Sequence, residues 1–581
     1  MIEDINEPVD LFRTEFKDAH ARHTAELFET LLAQSGVDAA TNAETVRILR
    51  SLESQIESAS ETSGWWKFAR IASLGIGACC LVVALSQSQY WWLVGVAAAG
   101  ALIVLKLNPM IATLAARLDD LKQQRDAQLR QAWQEMAPLN RLYRWDMVAD
   151  LMQKTVPRIA LDPYFSTGRL DELRTNFGWT YEFNVGRSVL FAHSGVLNGN
   201  PFVVARTLNH WIGSKTYHGS LQISWRERVR DSQGKWTTHT RHQTLHASVT
   251  KPFPEYSDQP IIIYGNEAAP DLSFSRSPSD LSGLDDGLIN NWRKRRAVKA
   301  LEAKSRELHD GHGFMVMSNA EFDALFAATD RDHEIQFRLL FTPLAQQEML
   351  RILRDKDVGF GDRFRFFKQR MINLVEPSHM VGTDISGDPE IFRHYELAAA
   401  RQQFNAYHAA LFRSLYFGLA PILAIPLYQQ HRSHADIYKD VYTRRSNFWE
   451  HESIANYLGE HHFQHPACVT RNILKTEAVI HDDGAQTVHV SAHGYAGTDR
   501  VDFVSVLGGD HRHHNVPVHW VEYRPVHRDS QLVVHELMPD DTASAADEAA
   551  KPAWVSAFES RGLDAQKVVV RRSVATTLLA S

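Results

Sequence analysis

Apolar positions from Pro8 to Gly36 recur at three- and four-residue steps, through Leu11, Phe12, Phe16, Leu27, Phe28, Leu31 and Leu32. That spacing predicts a helix with one buried stripe. Val46, Leu49, Leu52 and Ile56 continue it in a second helix; Gly36 stops the first, and Thr41 to Glu44 reads as a capping box for the second. Residues 1–62 are thus expected to form a helical pair. Polar positions then vanish. From Ile71 to Leu105 there is no charge, and only Ser86-Gln87-Ser88-Gln89 interrupts the apolar run. Each arm, Phe68 to Leu85 and Tyr90 to Leu107, is about as long as a bilayer crossing, which takes roughly 17 to 25 residues. Trp65, Trp66, Tyr90, Trp91 and Trp92 mark the arm ends as interfacial rings do. Lys67 and Arg70 precede the hairpin and Lys106, Arg117 and Lys122 follow it, so both ends are expected in the cytoplasm. Residues 65–107 are read as a transmembrane hairpin, with a buried hairpin in a soluble core as the alternative. Over 110–137, Leu114, Leu118, Leu121, Leu129 and Trp133 repeat in nearly heptad fashion, as in a coiled coil. The stripe suits packing on the first helices, or a partner or second copy.

The period changes in 140–380, which reads as one mixed α+β soluble domain. Met147 to Ile159 is helical, and strands follow Trp179. Leu221, Ile223, Trp225 and Val229 alternate with Gln222, Ser224, Arg226, Arg228 and Arg230, the pattern of a strand with one wet face. In the returning strand Trp236 shares the parity of that apolar face for a four-residue loop, whereas Leu245, Ala247 and Val249 have the opposite parity, so a bulge is expected between them. Gln259 to Tyr264 reads as a buried strand. After a Ser- and Asp-rich loop, Trp292 to Arg296 with Lys299, Lys304 and Arg306 forms a basic helix face. Gly313 to Met317, Glu321 to Ala328, Ile335 to Phe341 and Pro343 to Arg354 then read as strand, helix, strand, helix.

Tyr264-Gly-Asn-Glu-Ala-Ala-Pro-Asp-Leu-Ser-Phe-Ser-Arg276, Phe337-Arg-Leu-Leu-Phe-Thr-Pro-Leu-Ala345 and Gly361-Asp-Arg-Phe-Arg-Phe-Phe367 resemble segments of a bacterial membrane-protein family of unknown function. The resemblance covers about 180–376. It implies an N-terminal membrane hairpin followed by a mixed cytosolic domain, and it carries no catalytic residues.

Residues 389–430 begin as an Ala-rich helix and run into a second uncharged stretch, Ser414 to Gln430, with Pro421 and Pro426. Phe404 to Tyr428 is read as a third membrane segment, with a re-entrant or surface-lying segment as the alternative. A crossing there places the C-terminal part outside. Residues 432–538 form a His-rich β domain, with short strands at Val488–Val490, Val501–Leu507, Val516–Tyr523 and Leu532–Leu537; 539–581 is an acidic linker and tail.

Composition narrows the chemistry. Charged residues make up 23% of the 581 and the net charge is −7, so no global field points to nucleic acid, and none is expected as a partner. Three cysteines, two inside the first span, exclude a disulfide framework. Fifteen of the 29 histidines fall from His431 onward. His461, His462 and His465 precede Cys468, and His511, His513 and His514 follow a Gly-Gly-Asp turn. Both trios are candidate metal ligands, a site requiring several such groups to converge on one ion. Exposed strand and loop histidines, or a pH-responsive surface, are the competing readings. Arg293, Lys294, Arg295 and Arg296 are candidates for anionic lipid. No GxSxG elbow, phosphate-cradling loop or HExxH occurs, and His451-Glu452 and His535-Glu536 lack a second histidine. No catalytic residue or cofactor is therefore assigned. The fold expected is an α+β integral membrane protein. Its expected role is a bacterial-type inner-membrane scaffold that meets the lipid bilayer and protein partners or a second copy. The alternatives are a membrane sensor or a metal-dependent enzyme built on the His-rich domain.

Overall fold

The computed structural model describes residues 5–86, 92–180, 184, 186–230, 236–279, 296, 299, 317, 319–429, 446–481, 484–537 and 552–579. It is an α+β structure of helices and two antiparallel sheets. The chain divides into two compact units: residues 1–23, 145–387 and 409–581, and residues 24–144 with 388–408.

The second unit is built on a helical hairpin. The predicted second helix and first apolar arm are one helix, Ala39–Ser86; the second arm runs on through the heptad-like segment to Asn140. The helix start is held by Asp38, whose carboxylate accepts from the Ala40 N–H at 3.0 Å and the Thr41 hydroxyl at 2.5 Å, in place of the expected Thr41–Glu44 box. Near the base, Glu135 accepts from Thr45 at 2.8 Å and Asn42 at 3.3 Å, and Arg50 pairs with Glu396 at 2.6 Å. Towards the tip the arms meet through small residues: a Cβ on Gly95 would come 3.0 Å from Cys80 Sγ, and one on Gly77 3.5 Å from the Ala99 Cβ. These are the two helices, among the described residues, long and apolar enough to cross a membrane, and only 6% of the most apolar window of each is buried.

The first unit holds both sheets. Its larger sheet has the order β1-β2-β3-β4-β7-β6-β5, with β1 Ile159–Leu161, β2 Arg187–Leu197, β3 Asn200–Arg230, β4 Trp236–Gly265, β5 Ser273–Arg276, β6 Phe364–Gln369 and β7 Ile372–Pro377. The smaller sheet is ordered β11-β12-β10-β9-β8, with β8 Ile473–Ile480, β9 Ala485–Leu507, β10 His513–Glu536, β11 Val569–Arg571 and β12 Val574–Leu578. Helix Phe448–Leu458 feeds both cores. Its Trp449 packs with Val203, Ala205, Ile261 and Ile263 of the larger sheet, while Ile454 and Ala455 pack with Val488, Val490 and Leu532 of the smaller. The β-rich C-terminal part therefore shares one body with residues 145–387.

The predicted third membrane segment is a core helix. Helix Leu397–Leu423 carries Leu415, Tyr416, Leu419, Ile422 and Leu423 at 1% exposure or less. Phe12 stands 5.7 Å from the Phe412 ring and 4.9 Å from Phe417, and the Tyr416 hydroxyl donates to the Pro8 carbonyl at 2.9 Å. Arg413, the residue that had to reach a membrane interface, donates instead to the carbonyls of Val358 at 2.6 Å and Gly359 at 2.9 Å. An uncharged run is the common signature of a lipid-facing span and a helix surrounded by protein; here protein surrounds it. Both sheets belong to one compact unit, an arrangement at odds with the expectation that the C-terminal part faces the opposite side of a membrane from residues 145–387. Ile335–Phe341, expected as a strand, is the helix Glu334–Leu340: Phe337, Leu340 and Phe341 are buried at helical spacing, and the His333 imidazole caps the Gln336 N–H.

Beyond Asn209 the strands β3 and β4 pair only with each other, and their register is continuous from Phe202↔Tyr264 to Arg230↔Trp236 without the expected bulge. Trp236 lies opposite Arg230 on the wet face, 61% exposed, so the parity that suggested a bulge was that of an exposed aromatic. Beyond Ala496, which makes an isolated bridge to Cys468, β9 and β10 form a second such ribbon. The two stack into an arm: Leu221, Ile223, Leu245 and Ala247 meet Val506 and Val516, Lys251 pairs with Asp502 at 2.6 Å, and Phe253 meets Tyr523 edge-on at 5.3 Å.

Candidate functional site

At the roots of the two ribbons the register brings together residues far apart in the chain. His210 stands opposite Tyr256 in the β3–β4 pair, and His493 opposite His527 in the β9–β10 pair. Same-face neighbours across a strand pair lie close enough for ring contact, and the His493 and His527 centroids are 6.3 Å apart. His210 lies 5.0 Å from Tyr256 and 5.3 Å from Tyr495. With Lys475 of β8 and Gly186, Ile473, Pro525 and Val526 these side chains line a cleft of about 520 Å³. That falls within the usual size of small-molecule sites, roughly 300 to 1,000 Å³.

The electrostatics favour neutral groups. Burial lowers the pKa of His210. His493 is lowered first by burial and then by His527 and Lys475, against Asp529. Burial pushes Tyr256 up to about 12 and raises Tyr495. Lys475 Nζ donates to the buried Glu452 side chain at 3.0 Å. The Tyr256 hydroxyl meets Thr470 Oγ1 at 3.1 Å, and that oxygen accepts from the Tyr495 N–H at 3.1 Å. His210 Nε2 is buried and has no hydrogen-bond partner among the described residues. The cleft presents imidazole and phenol donors and acceptors beside Lys475 to a polar small molecule. Cys468 beside it is held by the Thr470 carbonyl at 3.4 Å and Asn472 Oδ1 at 3.6 Å, and so is not poised as a nucleophile.

The predicted site residues fall elsewhere. His461 and His462 are exposed on a 3₁₀ turn with ring centroids 3.9 Å apart, and His465 Nδ1 accepts from the Ala467 N–H. His511 sits at φ +61° in the turn after β9; His513 meets Ser505 Oγ at 3.2 Å, and His514 meets Asp510 at 3.0 Å, a pairing that holds the Asp510 carboxyl below its usual range. Among the described residues no three His, Cys, Asp or Glu side chains converge as a metal site would require. Arg293, Lys294 and Arg295 lie outside the described residues, and Arg296 is exposed. His210, Tyr256, His527 and Lys475 were not singled out by sequence. His493 shares a strand parity with His489, but partners separated by tens of residues leave no local spacing that would bring them together in a sequence.

No family model, curated protein or solved structure matches the chain. The site is therefore read from its own chemistry.

Proposed function

We propose that the protein is a membrane-anchored interaction scaffold, held in the bilayer by its helical hairpin and meeting partners through the two-ribbon arm. The observation that carries the anchor is the apolar surface of the hairpin. Ile71, Val82 and Leu85 on one arm are 64%, 64% and 72% exposed, and Val94, Val104 and Leu105 on the other 72%, 64% and 78%. Contiguous apolar surface on this scale marks a membrane or an interaction site, since water-exposed patches on soluble monomers rarely exceed a few hundred Å². Cations flank both arms and none lies between them, which supports both ends on the cytoplasmic side. The arm supports the scaffold reading because its two outer faces are left uncovered by the described chain.

Fractionation tests the anchor. The full chain is expected to stay with membranes through alkaline carbonate washing, and a Val82→Lys/Val94→Lys variant to leave them, since a central cation costs about 2.5 to 3.5 kcal/mol per residue on insertion scales. A wild-type chain released by carbonate would remove the reading. The histidine-lined cleft favours a second reading, a membrane sensor whose ligand seats between the ribbon roots. Isothermal titration against small polar metabolites, with His210→Ala as control, separates it from a scaffold alone.

A further inference from the structure

The outer face of the β3–β4 ribbon is chemically one-sided. From Ser214 to Arg230 every second residue of β3 is exposed, and so are their cross-strand partners from Pro252 to Trp236. None of these positions carries a carboxylate; Glu227 and Glu255 have the other parity and belong to the face that meets the second ribbon. Serine and threonine hydroxyls fill nine of these eighteen positions, and Thr216 and Thr250 bond across the face at 3.0 Å. His218, His242 and His246 add imidazoles, and Arg226, Arg228 and Arg230 follow one another towards the far end, about 6.8 Å apart along the strand. Among the described residues Arg226 and Arg228 make no ion pair or hydrogen bond. The packing of Ile223 and Leu245 on Val516 backs the face and keeps it extended.

We infer that this face binds a linear acidic polysaccharide. Planar guanidinium groups in a row suit carboxylate or sulfate groups, which they grip in pairs of hydrogen bonds. The hydroxyl ladder both donates and accepts, as sugar hydroxyls do. A single-stranded nucleic acid would call for stacking platforms along its path. The one indole on this face, Trp236, stands at its end with the Arg230 guanidinium 5.6 Å from the ring. The inference rests on the arm being the docking element of the proposed scaffold, and not on the side of the membrane it occupies.

Detergent-purified full-length protein is titrated with alginate, a polyuronate, and with heparin, a sulfated chain; neutral dextran, polyphosphate and a single-stranded oligonucleotide serve as comparisons. Alginate and heparin are expected to bind at least about tenfold more tightly than dextran, with affinity falling as salt rises. Arg226→Ser/Arg228→Ser should weaken binding about tenfold or more and reduce the salt slope by about two. Ser220→Asp/Ser248→Asp, which leaves the guanidinium groups in place, should weaken it as well. Both variants keep their membrane fractionation and thermal midpoint, which separates failure of this inference from failure of the anchor. Equal binding of dextran, tighter binding of the oligonucleotide or polyphosphate, or unchanged binding in both variants would overturn it.

Discussion

Glu452 is 1% exposed at the junction of the two sheets, where it accepts from the Val189 N–H at 2.8 Å and faces Lys475. Burial pushes its carboxyl up to about 7, against the pull of Lys475 and the Val189 N–H. Between about pH 4.5 and 7 the folded chain therefore keeps a proton that the unfolded chain has shed, and stability falls as pH rises through that window by up to about 1.4 kcal/mol per unit. His193 and His451 act in the opposite sense. Burial drives them down to about 3 and about 4, His193 between the Arg572 guanidinium and the Ile385 carbonyl, so their stabilisation is present above pH 6.5 and is lost as pH falls below it. Glu452→Gln should accordingly gain on wild type as pH rises from 5 to 7.5, read as the difference in thermal midpoints; parallel profiles would rule this out. Sequence reasoning met His451-Glu452 as half of a metal motif. It is a buried pair whose members each have protein partners, and burial of that kind is set by helix packing that no dipeptide records. Arg276 tells the same story within the segment that carried the family resemblance. It is fully buried, bonded to Asp362 at 2.6 Å and to the Phe364 carbonyl at 2.8 Å. Arg276→Ala strands the Asp362 carboxylate and should cost about 3 to 5 kcal/mol, measured by urea denaturation; a loss below about 1 kcal/mol would show that the site relaxes.

The ribbons are the elements most legible in the sequence, because one wet face imposes strict alternation, as at Leu221 to Val229. Their length was not legible. Near the sheet Val203, Val204 and Ala205 are buried on both faces and lose the period of two, and Trp236 broke the parity by standing exposed. The uncharged stretch before Gln430 misled for the converse reason: composition reports that a helix avoids water, not what replaces the water. Leu419→Lys is therefore predicted to unfold the body, by more than about 4 kcal/mol, with membrane fractionation unchanged; a stable body with altered membrane insertion would contradict the core assignment. Stacking of the ribbons depends on Gly219, where a Cβ would run into the Pro517 carbonyl oxygen. Gly219→Val should part the ribbons, speeding amide exchange across Val501–Leu507 and Val516–Tyr523 while the sheet cores stay protected. Unchanged exchange in those segments would mean that the layers repack.

At the scale of the whole molecule, the apolar hairpin was readable from composition alone, since nothing but lipid or protein accommodates so long a stretch without charge. The union of the two sheets was not readable, because it depends on one helix, Phe448–Leu458, whose opposite faces serve two cores. From that union we predict that both sheets lie on one side of the membrane in which we propose the hairpin sits. The most direct test is cysteine accessibility in intact cells. Cys79, Cys80 and Cys468 are replaced, and single cysteines are introduced at Ser88 between the apolar arms, at the exposed Ser214 of the first ribbon and at the exposed Ser505 of the second. With a membrane-impermeant maleimide, Ser88→Cys should be labelled in intact cells, and Ser214→Cys and Ser505→Cys only after the cells are opened. Labelling of Ser505→Cys in intact cells while Ser214→Cys stays protected would contradict the account.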